Sequence, residues 1–410
     1  MGNGCHLASM PTKPMPFNDS KIAAIANPRA RREKLGQFLT ASRVADFMAS
    51  MFGPLPSTVR LLDAGAGAGA LTVAFVSRCC EKNDGVRAIE ATLYELDPEI
   101  LDALSAAMRE CERRCSNAAI RFTFTIHSAD FIQEMSARLA GDLFGSTPPK
   151  FDAAIANPPY RKISTDSAER RALHSVGVET SNLYTGFIAL IQRLLVLGGQ
   201  LIGITPRSFC NGPYFRPFRE DFLNHMELRR LHVFESRQAA FRGDSVLQEN
   251  IIFHAVKGSH QPREMTVSSS SGEQGDEITE SVFPFAEIVH PHDAERFIHI
   301  PSTTSHAAAK ETMDGLSTSL ASLGLSVSTG RVVDFRLKDA LRKEPERGTV
   351  PLLYPCHFNG GTVHWPKLEA RKPNAILDNE QTAGSIMCRA KTKCSTLDRC
   401  HEPWRKLHSA

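Results

Sequence analysis

The sequence lacks any uninterrupted apolar run near the roughly 18 residues that a membrane-spanning helix needs, so no span is expected. The first residues, MGNGCHLASMPTKPMPF, have no basic head followed by an apolar stretch, so no secretory signal is expected either. Met1-Gly2 with Cys5 hints at acylation, but position six is His6 rather than Ser or Thr. There are ten cysteines, and none shows the paired spacing of a metal site. Cys388, Cys394 and Cys400 are separated by gaps of five residues, whereas zinc ribbons and fingers place ligand pairs two to four apart. No metal is expected, and free thiols fit a reducing cytoplasm. No internal repeat is present.

At about 150 residues per domain, 410 residues suggest two or three domains with room for a sizeable core. The net charge of +3 is uninformative, but its distribution is not. From Arg331 onward there are fifteen Lys and Arg against nine Asp and Glu, an excess of six, so the rest carries −3. A near-neutral body with a basic C-terminal segment is compatible with a nucleic-acid partner, although a basic surface is more often only solvation.

Residues 1–30 are rich in Pro, Asn and Met and read as a loosely ordered N-terminus. From Arg31 to Val256, short apolar runs at 59–63, 91–97, 122–127, 153–156, 200–205 and 250–256 alternate with amphipathic stretches. This predicts an α/β domain, a Rossmann-like, mostly parallel sheet with helices on both faces, extending over 31–300. The Ser-, Gly- and Glu-rich segment 259–276 reads as a surface loop. After about Pro301 clear periodicity gives way to Gly, Pro and isolated aromatics, which suggests a second domain of different construction over 301–410.

Strand 59–63 runs into Ala64-Gly65-Ala66-Gly67-Ala68-Gly69-Ala70 and then a helix. Glycines there let the backbone approach a ligand closely, and the plainer reading is a tight turn packing helix on strand. Two acids favour the ligand. Asp63 ends the first strand, and Glu95 and Asp97 end the second, where an acid suits a ribose diol. The glycines at 65, 67 and 69 do not meet the dinucleotide spacing G-x-G-x-x-G. Asp63-x-Gly65-x-Gly67 instead resembles the loop of S-adenosylmethionine-dependent methyltransferases, whose cofactor has no pyrophosphate to cradle.

The most specific feature is Asn157-Pro158-Pro159-Tyr160, where a strand beginning at Phe151 ends abruptly. The prolines fix φ and make the loop rigid. The Asn157 side-chain oxygen and the Pro158 carbonyl then give two acceptors for one planar NH₂ group. Holding both N–H bonds pulls electron density onto the nitrogen and aims its lone pair at a methyl donor. Tyr160 offers a π-face to a planar base or amide. A chance turn is the alternative.

With these motifs the chain resembles the gamma-class N6-adenine DNA methyltransferases of type II restriction-modification systems, the PstI/BsuBI-like group in particular, over 31–374. The resemblance implies S-adenosylmethionine as cofactor and duplex DNA as substrate. It also implies a monomeric cytoplasmic enzyme, no membrane, and a restriction endonuclease as genetic rather than physical partner. Lys34-Leu35-Gly36-Gln37-Phe38-Leu39-Thr40 is similar to the N-terminal cofactor motif, which implicates Gln37 and Thr40, although Ala41 stands where the family has Pro. Asp63, Gly65 and Gly67 match the methionine-side loop, Glu95 the ribose acid, and Asp130 the residue reaching the cofactor adenine; Asn157 also borders the cofactor. Phe241 matches the second aromatic that stacks on a flipped base, opposite Tyr160. Residues 329–335 and 371–375 resemble the start of a DNA-recognition domain. That resemblance stops near Ile376, so the recognition domain is expected to be incomplete. Its tail from about 377 is atypical, the segment after Asn374 is expected to pack poorly, and sequence-specific DNA binding is expected to be weak.

Two other functions fit parts of the pattern. Protein glutamine N5-methyltransferases use the same Asn-Pro-Pro-Tyr on an amide, but carry an N-terminal helical domain and no basic C-terminal segment. A catalytically silent protein that binds DNA or S-adenosylmethionine would rest on the tail alone. Cytosine-C5 chemistry needs a nucleophilic Cys, and Pro355-Cys356 and Glu249-Asn250 occur in the wrong order for it.

Overall fold

The apolar runs form strands because branched and aliphatic side chains fill both of their faces. In the computed structural model, which describes residues 40–82, 85–141, 147–234, 250–270, 278–301, 318, 322–324, 330–359 and 361–386, the chain divides into two compact units, 1–309 and 310–410.

The first unit is built on a nine-stranded sheet in the order β3-β2-β1-β4-β5-β7-β6-β8-β9. Its strands are β1 (Thr58–Ala64), β2 (Ala88–Tyr94), β3 (Arg121–His127), β4 (Phe151–Ala156), β5 (Leu195–Pro206), β6 (Met226–Phe234), β7 (Asn250–Lys257), β8 (Glu264–Ser270) and β9 (Thr279–Pro284). The five strands from β3 to β5 are parallel. β7 enters antiparallel between β5 and β6. Central parallel strands are buried on both faces, and alternate residues of β1 and β4 accordingly join different cores. Leu62, Ala64, Ala154 and Ala156 face one core, and Val59, Leu61, Ala153 and Ile155 the other.

Helices cover both faces, as expected. α1 (Ser42–Ser50), α2 (Ala70–Lys82) and α3 (Leu101–Asn117) lie on one side, contributing Met48, Phe75, Leu104 and Met108. α4 (Phe131–Ala140), α6 (Leu183–Leu194) and α8 (Arg216–His225) lie on the other, with α5 (Ala168–Ser175) at their edge and the single turn α7 (Ser208–Asn211) between α6 and α8. All of α6 except Arg193 is buried, the polar Thr185 and Gln192 included.

The segment 259–276 corrects one expectation. Residues 264–270 are not a loop but β8, paired on both sides by β6 and β9. Met265 and Val267 are buried, and so are Ser268, Ser269 and Ser270. The serines are tolerated because the imidazole of the buried His232 lies between two of them, Nδ1 at 3.0 Å from Ser268 Oγ and Nε2 at 3.1 Å from Ser270 Oγ. Burial pushes His232 down to about 4, so the ring is neutral and can both donate and accept.

The second unit is small and differently built. β10 (Leu341–Arg342) and β11 (Thr349–Pro351) pair antiparallel with the central β14 (Ala375–Leu377), and β12 (Phe358–Asn359) with β13 (Thr362–Val363). Its core is Ala340, Leu352 and Ile376, with Tyr354 and Val350 against it. Within the segment after Asn374 that is expected to pack poorly, Ala375 and Ile376 are buried in a central strand, whereas most residues from 377 to 386 are exposed or half-buried. Asn374 is itself a buried hub. Its side-chain oxygen is 2.8 Å from His357 Nε2, its nitrogen donates to Lys343 O at 2.8 Å, and its backbone carbonyl accepts from Trp365 Nε1. Phe358 is exposed. The remainder of the tail, from 387, lies outside the described residues.

Candidate active site

β1, β2 and β4 are parallel neighbours, so their carboxyl ends share one edge; Ala64 pairs with Tyr94, and Leu62 with Ala154. That edge of an open α/β sheet is where such folds bind ligands. It brings together the glycine loop after β1, Glu95 after β2 and Asn157 after β4.

The glycine loop turns sharply, with φ of 87° at Gly65, 55° at Gly67 and 88° at Gly69. Only glycine adopts these angles without strain. The amides of Gly65 and Ala66 both donate to the Tyr94 carbonyl, at 2.9 and 2.8 Å. A Cβ on Gly69 would lie 3.0 Å from both Leu104 and Met108, so that glycine lets α3 approach. Nothing lies within 4 Å of a Cβ position on Gly67, so the space there is open.

Glu95 holds this loop. Its Oε2 accepts from Gly67 N at 2.8 Å and its Oε1 from Asp97 N at 2.7 Å, with only 3 % of the residue exposed. Burial pushes its carboxyl up, and the N–H bonds from Asp97 and Gly67 pull it back. A carboxylate oxygen can accept more than one hydrogen bond, as a ribose hydroxyl would require.

Asp63 lies beneath the loop. It is fully buried, and Oδ2 accepts from the Thr72 hydroxyl of α2 at 2.7 Å. Oδ1 has no hydrogen-bond partner among the described residues. Burial raises this carboxyl to about 7, the Thr72 bond opposes the rise, and the Glu95 charge adds to it. Asp63 therefore shapes the loop from below through Thr72. Sequence reasoning did not single out Thr72; its only signal is a hydroxyl in the first turn of the helix that follows the loop. Asp130 caps the N-terminus of α4, its Oδ1 accepting from Gln133 N at 3.0 Å.

Asn157 follows β4 directly, and its amide is held at both ends. Nδ2 donates to Thr40 Oγ at 2.9 Å, and Oδ1 accepts from the Tyr160 hydroxyl at 2.8 Å. The loop continues into a clasp with the start of α6, where Leu183 N donates to Arg161 O and Ile163 N to Ser181 O, both at 2.8 Å. The Tyr160 ring is half-buried and meets Tyr184 edge-on at 6.2 Å. Burial raises its hydroxyl well above the ordinary range, so it stays protonated and donates. Pro158 is buried and Pro159 half-buried. Thr40 and Asn157, 117 residues apart in sequence, thus meet at one site. Gln37 and Phe241 lie outside the described residues.

Among the described residues, no group of three or more His, Cys, Asp or Glu side chains is placed to hold a metal ion. No described helix is long and apolar enough to cross a membrane.

The Eco57I restriction-modification methylase family matches residues 95–241, which run from Glu95 through the Asn157 loop. The chain is 42% identical over 353 residues to type II methyltransferase M.PstI of Providencia stuartii, covering 86% of this chain and 68% of that one. The chain belongs to the type II methyltransferases. A second type II methyltransferase, M.BsuBI of Bacillus subtilis, is 41% identical over 353 residues, covering 85% of this chain and 68% of its own. A class I S-adenosylmethionine-dependent methyltransferase of Listeria monocytogenes overlays with a TM-score of 0.43 at 16% identity, over 57% of this chain and 66% of that one. As a methyltransferase of the restriction-modification type, the chain has its most constrained loops, Gly65 to Gly69 and Asn157 to Tyr160, on one sheet edge.

Proposed function

We propose that this type II methyltransferase transfers a methyl group from S-adenosylmethionine to the N6 amino group of adenine in duplex DNA. The observation that carries the reading is the Asn157 amide, fixed at both ends at the carboxyl edge of β4 beside the glycine loop.

The residues fit the cofactor. The open space at Gly67 admits a ligand against the backbone, and the buried Glu95 carboxylate, already aligned by two N–H bonds, suits a ribose diol. Glu95 would hold the ribose, the loop of Gly65 and Gly67 the methionine end, and Asp130 the adenine end. When bound, S-adenosylmethionine supplies an electrophilic methyl group on sulfur.

The protein's own part is orientation and electrostatics. A duplex hides the adenine amino group, so the base is flipped out to be reached. The Tyr160 ring provides a stacking face, and Phe241 is the proposed second face. The Asn157 Oδ1 and Pro158 carbonyl accept the two N–H bonds of the amino group. Both acceptors draw hydrogen away from the nitrogen, which raises its electron density and points its lone pair out of the base plane. An amide oxygen has two lone pairs, so Asn157 can serve Tyr160 and the amino group together.

The test is tritiated-methyl transfer to unmethylated duplex DNA, with a release-factor protein as parallel acceptor. Label in adenine of the duplex supports the reading. Label only in the protein acceptor replaces it with glutamine N5-methylation.

A further inference from the structure

We propose that Thr40 is a positioning residue that holds the Asn157 amide by its nitrogen end, so that the oxygen end faces the amino group being methylated. The inference rests on the adenine reading above and gives Thr40 a role separate from cofactor contact.

An asparagine amide has two ends of nearly equal shape and opposite chemistry, an acceptor oxygen and a donor NH₂. Only the oxygen suits an incoming amino group. Presented nitrogen first, Asn157 would set donor against donor. The preceding strand fixes the backbone of residue 157 but leaves the amide free to turn about its last torsion, which is broad and roughly two-fold for asparagine. Something outside the strand must choose the angle.

Two hydroxyls meet the amide. Thr40 Oγ accepts from Nδ2 at 2.9 Å, and Tyr160 donates to Oδ1 at 2.8 Å. Tyr160 has one proton and a competing acceptor in the Ile204 carbonyl at 3.3 Å, so its hold on Oδ1 is divisible. Thr40 supplies the opposite anchor. It stands just before α1, which packs on α2, the helix that follows the glycine loop. A single hydroxyl thus ties the helix pair beside the cofactor loop to the acceptor that chooses the substrate.

The variants are Thr40→Val, which keeps the shape and removes the oxygen, and Thr40→Ser, which keeps the oxygen. Both are made in the full chain. Donor affinity is measured by calorimetry, turnover on unmethylated genomic DNA at saturating donor, and the Asn157 orientation by crystallography. T40V is expected to bind S-adenosylmethionine within about twofold of wild type while kcat falls about ten- to a hundredfold, the scale of a misplaced reacting group. T40S is expected to regain most of the turnover. In T40V crystals the Asn157 amide should lose its single orientation. The inference is overturned if T40V weakens donor binding but keeps kcat at saturation, or if its Asn157 amide stays as in wild type. A wild-type enzyme that leaves adenine unmethylated would sink the adenine reading, while the crystal comparison still decides what Thr40 does.

Discussion

Glu95→Gln removes one acceptor from the most constrained carboxylate of the site and changes little else. The carboxylate receives Gly67 N on Oε2 and Asp97 N on Oε1. Glutamine has one oxygen, so one of these two N–H groups must face an NH₂ instead. An unmade buried hydrogen bond costs about 1–3 kcal/mol. A ribose hydroxyl that donated to the carboxylate also loses the charge that made its bond strong. Part of the first cost falls on the loop even without ligand, so the two do not add in full. Together they should weaken S-adenosylmethionine by roughly 1.5–3 kcal/mol, which is about ten- to a hundredfold or slightly more in Kd. Isothermal calorimetry at pH 8 reads this directly, and a melting curve checks that the variant is folded. Because burial raises Glu95, wild-type affinity should also fall on acidification at a higher pH than for an exposed glutamate. Unchanged affinity in E95Q would refute the ribose role and the idea that the buried acid aligns the loop for a ligand.

Three further outcomes follow from the same geometry. Asp63 titrates near 7 in the folded chain against about 4 when unfolded, so the folded state holds its proton more tightly. Stability is then full below about pH 4 and falls as pH rises through 7. Asp63→Asn should flatten that slope and be the more stable protein at pH 8 by up to a few kcal/mol; parallel denaturation slopes of variant and wild type between pH 5 and 8 would contradict this. Tyr160→Ala should weaken capture of the flipped base by about 1–3 kcal/mol, read with 2-aminopurine at the methylated position, and an unaltered fluorescence rise would show that the ring does not stack. Asn374→Ala should destabilise the second unit by about 1–3 kcal/mol or more, since it removes at once the side-chain partner of the buried His357 ring and of the Lys343 and Lys367 backbones; proteolysis of that unit at wild-type rate would count against the hub.

The α/β sheet and the covering of both its faces were legible because burial on both sides demands apolar residues at successive positions, and Leu61-Leu62 and 153–156 have them. Strand 264–270 was illegible for the opposite reason. Its serines are polar by composition, and only the partner strand carrying His232 makes them satisfiable inside. The acids at the strand ends and the Asn-Pro-Pro-Tyr turn could be read as chemistry, because few local structures need that residue order. The connections among them could not. Nothing local links Thr40 to Asn157 or Thr72 to Asp63, since those bonds exist only once parallel strands bring distant loops to one edge. Nor could composition reveal that Ala375 and Ile376 close a small core, because a three-residue strand is too short to show a period.

The most direct test of the account is to identify the methylated nucleoside. Unmethylated duplex DNA is incubated with the full chain and S-adenosylmethionine, digested to nucleosides and resolved by mass spectrometry, with Asn157→Ala alongside. The account predicts N6-methyladenosine as its deoxynucleoside from the wild type. It predicts none from N157A, although that variant still binds the donor. Methylated cytosine, or N157A turnover within about threefold of wild type, would contradict it.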